Sequence, residues 1–291
     1  MIRPMVAKTI LSTSKHPSAW FGVKYNMNLY RGCEIQCIYC DSRSECYGID
    51  DFHNITVKTN ALELLRKELA SKRKRGTVGT GSMSDPYTLT EKKLMLTRQA
   101  LEIVAQFRFP VHITTKSNLV LRDVDVLEEL NKVYASVAFT ITTADDVLAK
   151  KLEPYAPSPT DRFKALGVLS ALGIETSITM MPILPFIEDN PENILEIVEK
   201  ASFYGVKNII AAFGMTLRDR QREYYYQKLN HLFPGMREKY EQCFRDSYQC
   251  RANQQKKLAD LFYGACQKRG ISTAMPSYEK KNTDYQLSLF D

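Results

Sequence analysis

A chain of 291 residues, 44% hydrophobic and 25% charged, has enough apolar material for one large α/β barrel or two modest domains. It holds no apolar run long enough to cross a bilayer, and its opening MIRPMVAKTILSTSKHPSAW has neither an apolar signal core nor a cleavage site, so a cytoplasmic protein without membrane contact is expected. The net charge of +7 suits a polyanionic partner without requiring one, while seven cysteines, an odd count, argue against a disulfide framework and for thiols that ligate metal.

Short β-branched runs alternate with helical periodicity, the pattern of a parallel sheet covered by helices. In chain order the pattern predicts a strand over 24–29, a helix over 61–73, a strand over 77–81, a helix over 91–107 and a strand over 111–115. A helix over 124–132, a strand over 136–142, helices over 145–151 and 161–172, a strand over 175–180, a helix over 191–204 and a strand over 207–213 follow. Thr90 and Pro191-Glu192 supply helix starts, and Gly173 and Gly205 supply stops. Lys72-Arg73-Lys74-Arg75 falls at the end of a helix, where cations favour the dipole, and reads as a solvated end before it reads as a phosphate clamp. The expected class is α/β: a partial (β/α)6 TIM-like barrel over 1–215, a helical C-terminal extension packed on it over 216–275, and a tail over 276–291. Function belongs on loops at the C-terminal ends of the strands.

One such loop, after the first strand, carries Cys33, Cys37 and Cys40 in YRGCEIQCIYCDSR. An iron–sulfur cube needs four ligands, so three closely spaced thiolates leave one iron open to a small molecule. A zinc knuckle is the alternative, but it needs a second Cys pair or histidines at matched spacing, and His16 and His53 stand at no such spacing.

The C-x3-C-x2-C spacing, with Tyr39 before the last cysteine, resembles the radical S-adenosylmethionine (radical SAM) superfamily. Further motifs, GTGSMSDPY, ITTKSNLVLRD and TITTADDVLAKKLEPYAPSPTDRFKAL, resemble its spore photoproduct lyase-like branch over about Ala7 to Ile210. The resemblance implies a 4Fe–4S cluster on Cys33, Cys37 and Cys40, SAM as cofactor, and an electron donor such as flavodoxin or ferredoxin. It also implies that Ser84 and Asp85 meet the amino-acid part of SAM, Lys116 its carboxylate, and Thr140 its ribose or nearby backbone. These pairings match cation to carboxylate and hydroxyl to ribose, although Asp85-Pro86 also reads as a turn opening and Lys116 as a solvated strand end. Glu153 and Arg162 flank the Pro-rich PYAPSP and read first as a buried ion pair holding that loop, second as a contact to SAM or substrate.

The departures bear on the reaction. Where the branch's lyases carry a hydrogen-donating cysteine, this chain has Ser82, whose O–H bond is too strong to donate to a carbon radical, and where they carry a tyrosine after the third cluster cysteine it has Asp41. Tyr39 remains as a catalytic candidate or as packing against the cluster. Of the other cysteines, Cys250 is the candidate replacement donor and Cys266 reads as core packing. Burial is the default reading for each of Cys46, Cys243, Cys250 and Cys266, and a second cluster on Cys243, Cys250 and Cys266 is the looser alternative. Gln286, Leu287, Ser288, Leu289 and Phe290 resemble the pentapeptide that docks bacterial repair proteins on the DNA sliding clamp. The function expected is therefore hydrogen abstraction from a nucleic acid, in DNA repair. A radical SAM enzyme for a peptide or small molecule, and a non-catalytic iron–sulfur adaptor, are the rivals.

Overall fold

The structure is a computed structural model and describes residues 2–49, 51, 52 and 54–279. Its first strands are β1 (Arg3–Met5), β2 (Leu11–Thr13), β3 (Val23–Met27), β4 (Tyr30–Arg31) and β5 (Thr56–Lys58), before helix α1 (Ala61–Ala70). Then come β6 (Thr77–Thr80), α2 (Leu89–Leu94), α3 (Leu96–Gln106), β7 (Val111–Thr115), α4 (Val124–Asn131), β8 (Ala135–Thr140), α5 (Asp146–Leu152) and α6 (Pro159–Ala171). The chain continues through β9 (Glu175–Ile183), α7 (Pro191–Phe203), β10 (Asn208–Thr216), α8 (Asp219–Leu232), α9 (Met236–Phe244), β11 (Gln249–Arg251) and α10 (Gln255–Lys268).

The main sheet has eight strands in the order β11-β10-β9-β8-β7-β6-β3-β2. The six from β3 to β10 run parallel, and β2 and β11 add antiparallel at the two edges. The edges do not pair with each other, so the sheet is an open arc, the partial TIM-like barrel that the alternation implies. Every residue of β7 and β8 is buried, which explains why these segments read as continuous rather than alternating runs: a parallel strand between helices and a packed interior has no face for water. The largest apolar cluster joins the strands to α1, α3, α4, α6, α7 and α10.

Two helix starts show how sequence sets the frame. Ser158 and Asn190 each accept a hydrogen bond from the first turn of α6 and α7, with Pro159 and Pro191 directly after them. Gly173 and Gly205 follow the same helices at positive φ, the stop that their side-chain-free backbone allows.

The structure departs from expectation at four places. The single helix expected over 91–107 is two, broken at Met95, whose φ is +53°. The buried Glu91 carboxylate accepts from the Thr97 N–H at 2.8 Å and from Arg122 Nη2 at 2.7 Å, so a side chain replaces a helical bond there. The helix before Lys72 ends at Ala70, so the basic run lies beyond it, with Lys72 over the Tyr25 ring. The first strand closes at Met27, and the cysteine loop instead leaves β4, which pairs with β5 in a separate three-stranded sheet with β1. Finally, the stretch expected as helices alone contains β11, which joins the main sheet against β10 through Met215 and Cys250.

After α10 the chain returns to the start of β10, where Ile209 N–H donates to Ser272 O at 2.9 Å. It then reaches the start of β3, where Phe21 N–H meets Met275 Sδ at 3.4 Å. This strap closes the gap between the two ends of the arc on the side of the strands' N-termini.

Candidate active site

The loops at the C-terminal ends of the strands surround a cavity of about 1100 Å³. Cys33, Cys37 and Cys40 line it together with Tyr39 and Asp41, and so do Ser82 and Asp85 after β6, Lys116 after β7, Thr140 of β8 and Thr179 of β9. Met215 of β10 and Cys250 of β11 line it as well.

The cysteine loop is held by its own side chains. Gln36, at positive φ, donates to Cys33 O at 2.7 Å, and Arg43 donates to Gln36 while stacking between the Phe52 and Tyr224 rings, 4.2 and 3.6 Å from their centroids. The adjoining loop depends on Gly81, whose φ is +96° and where a Cβ would lie 1.8 Å from Thr114 O. Only glycine lets that backbone press so close to β7. Asp85 then ties the two strand ends together, accepting from Thr115 Oγ1 at 2.8 Å, Lys116 N–H at 2.6 Å and Tyr87 N–H at 2.9 Å. A carboxylate has about four acceptor positions, so one stays free for a ligand. Ser84 does not line the cavity; its hydroxyl is buried with no partner among the described residues.

Beneath the cysteines lies a buried charge network. Glu153 and Arg162 form the ion pair read from the sequence, Tyr39 donates to Glu153, and Lys116 Nζ stands 3.8 Å from the same carboxylate. Arg162 also donates to Thr140 O at 2.9 Å and to Pro157 O at 2.9 Å, so it fixes both the strand end and the Pro-rich loop. Burial alone would raise the Glu153 carboxyl, yet Arg162 and Lys116 hold it below the usual carboxylate range. Lys116 stays firmly protonated: burial opposes its charge, and Cys37 and Glu153 outweigh burial. The Thr140 and Thr179 hydroxyls are 2.9 Å apart and face the cavity as a pair.

Burial pushes the Cys33 thiol up to about 12, with Asp85 and Cys40 adding to it. Burial also raises Cys37, against Lys116, and raises Cys40 beside Asp41. Three thiolates at this place therefore need a cationic centre to compensate them. Among the described residues no three His, Cys, Asp or Glu side chains converge on a single ion position. A cube takes one thiolate on each of three irons, so its ligands stand further apart than those of a mononuclear site.

Residues 27–198 match the radical SAM superfamily. The chain belongs to that superfamily. Radical SAM proteins use a 4Fe–4S cluster and SAM. The match runs from the end of β3 into α7 and includes the cysteine loop. An uncharacterised protein of Methanocaldococcus jannaschii is 33% identical over 201 residues, which cover 68% of this chain and 73% of that one. Among solved structures, a spore photoproduct lyase complexed with a dinucleoside spore photoproduct superposes with a TM-score of 0.70 at 15% identity, over 93% of this chain and 81% of that one. Streptococcus suis SuiB bound to the precursor peptide SuiA superposes at 0.56 and 13% identity, over 87% of this chain and 48% of that one. At such identities these structures speak to the radical SAM fold alone.

The residues present fit both groups. Three thiols outside any disulfide and raised by burial despite nearby Lys116, one free acceptor position on the cavity-lining Asp85 and a cavity of about 1100 Å³ leave room for a cluster and a nucleoside-sized ligand. Of the remaining cysteines, Cys46 and Cys243 are exposed, against their expected burial, while Cys250 is buried and Cys266 is core, as read. Cys243 is exposed, Cys250 lines the cavity and Cys266 sits in the other apolar cluster, so these three do not gather and carry no second cluster. Sequence reasoning missed Thr179 and Arg43. Neither carries a local signal: Thr179 shares β9 with Glu175, Thr176 and Ser177, so its hydroxyl does not stand out, and nothing local marks Arg43. The clamp-like Gln286, Leu287, Ser288, Leu289 and Phe290 lie outside the described residues. No described helix is long and apolar enough to cross a membrane.

Proposed function

We propose that this radical SAM enzyme abstracts hydrogen from a nucleic acid, in DNA repair, with Cys33, Cys37 and Cys40 holding the cluster. The observation that carries the reading is the convergence of those thiols, Lys116, Thr140 and Cys250 on one cavity. When bound, the reduced cluster and SAM supply a 5′-deoxyadenosyl radical that takes a hydrogen atom from a substrate C–H bond. Lys116, kept protonated by Cys37 and Glu153, is the cation for the SAM carboxylate, and the Thr140–Thr179 pair offers hydroxyls to its ribose. Asp85 holds the loop and offers its last acceptor position to the SAM ammonium, with Ser84 buried behind it. Tyr39, bonded to Glu153, packs the network under the cluster. The likeness to a spore photoproduct lyase carrying a dinucleoside lesion and the net charge of +7 support a nucleic-acid substrate. SuiB with its peptide favours the second reading, a peptide substrate, over less of the neighbour's chain.

Cys250 takes the hydrogen-donor role that Ser82 cannot fill. Its thiol, pushed up to about 11 by burial, stays protonated with an S–H bond intact at neutral pH. With reconstituted enzyme, SAM, a one-electron donor such as flavodoxin or ferredoxin, and lesion-bearing DNA, Cys250→Ala is expected to keep forming 5′-deoxyadenosine while the DNA product shifts to radical adducts. Mass spectrometry of the DNA reads this; an unchanged product removes Cys250 from the mechanism. Absence of any DNA product in the parent enzyme defeats the nucleic-acid reading.

The tail 286–291 is proposed to dock on the bacterial sliding clamp. Deleting it is expected to leave SAM cleavage intact and abolish clamp binding by surface plasmon resonance. Micromolar motifs of this kind amount to about −8 kcal/mol, of which two apolar anchors supply roughly 1.5–3 kcal/mol each. Clamp binding that survives the deletion refutes the docking role.

A further inference from the structure

The same cavity carries residues beyond those assigned above to the cluster and SAM. One flank is Trp20, the chain's single tryptophan, which lies just before β3 and is half-buried on the cavity wall. Its indole lies edge-on to Phe21 at 5.1 Å, and its N–H has no partner among the described residues. The other flank is α10, which packs Leu258, Phe262, Ala265 and Cys266 into the core. A second stripe of that helix, Gln255, Ala259 and Tyr263, faces the cavity at i, i+4, i+8 spacing. Tyr263 is 53% exposed and makes no hydrogen bond, so packing does not explain its placement.

Cations outnumber acids on this flank, where Asp260 lies on α10 and Asp189 is tied up accepting from the Asn253 N–H at 2.6 Å. Arg251 of β11 lines the cavity, and Lys256 and Lys257 open α10; all three are exposed and form no ion pair among the described residues. Asp260 is the one acid on that helix. Aromatic faces flanked by unpaired cations are the means by which proteins bind single-stranded nucleic acid, since every base has a π-face and every linkage a phosphate. A base inside a duplex cannot reach an atom within the arc, so it must leave its stack first.

We propose that Trp20 and Tyr263 receive one unstacked base of a single-stranded nucleic acid between them, with the neighbouring phosphates along Arg251, Lys256 and Lys257. This rests on the nucleic-acid reading above and adds the residues and the strand state. Because Trp20 is the single tryptophan, its fluorescence reports on this place alone. Short oligothymidylate titrated into the anaerobic holoenzyme is expected to quench Trp20. Tyr263→Ala is expected to weaken that binding roughly five- to one-hundred-fold, and Tyr263→Phe to restore it. Duplex of the same length is expected to leave Trp20 unquenched, as is a peptide of matched charge. Oligothymidylate that binds by filter assay with Trp20 unquenched and equal affinity in Tyr263→Ala overturns the proposal while sparing the nucleic-acid reading. Absence of any oligonucleotide binding, or quenching by the peptide instead, overturns both.

Discussion

Cys37→Ala is expected to abolish the brown chromophore and SAM cleavage together, with iron falling from about four per chain to background on reconstitution. Cys37 is buried, its thiol is raised well above the ordinary range by burial against the pull of Lys116, and it lies between the other two in sequence. Two remaining thiolates cannot hold a cube whose fourth iron already lacks a protein ligand. Iron analysis and electron paramagnetic resonance of the reduced protein are the measurements. A variant that keeps its iron on Cys33 and Cys40 overturns the ligand assignment, and stoichiometric zinc with no iron in the parent protein overturns the cluster itself.

Arg162→Ala is expected to destabilise the fold by about 3–5 kcal/mol, read as a lower urea midpoint by circular dichroism. The guanidinium is among the largest fully buried side chains and serves Glu153, Thr140 O and Pro157 O at once. Removing it strands the Glu153 carboxylate with Lys116 at 3.8 Å and the Tyr39 hydroxyl. In the parent protein Arg162 holds that carboxyl below its unfolded value, so its stabilisation is present at neutral pH and fades as pH falls through the folded pKa. The gap between parent and variant should therefore narrow in acid. Adding Glu153→Gln should recover part of the loss by removing the stranded charge. A midpoint unchanged by Arg162→Ala would mean that the pair is solvated and does not hold the Pro-rich loop.

Much of the fold was legible because its signals are local. The strand over 111–115 stands where β7 does, and the other parallel strands lie within a few residues, since a run buried on both faces is written into consecutive residues. The cysteine loop was legible for the same reason: Cys33, Cys37 and Cys40 lie together in one short stretch of the chain. Met95 was not, because what breaks that helix is the carboxylate of Glu91 held by Arg122 from another loop. Strand β11 was not, because three residues carry no period and are strand only through pairing with β10. That pairing turned Cys250 from a cysteine at loose spacing into a thiol on the cavity wall. The sequence determined the radical SAM frame and its candidate cluster thiols by itself, through chemistry that is contiguous in the chain. Tertiary structure alone decided which distant residues share the cavity, Thr179, Cys250, Trp20 and Tyr263 among them, because closing an arc of strands brings together side chains whose separation along the chain leaves no local trace.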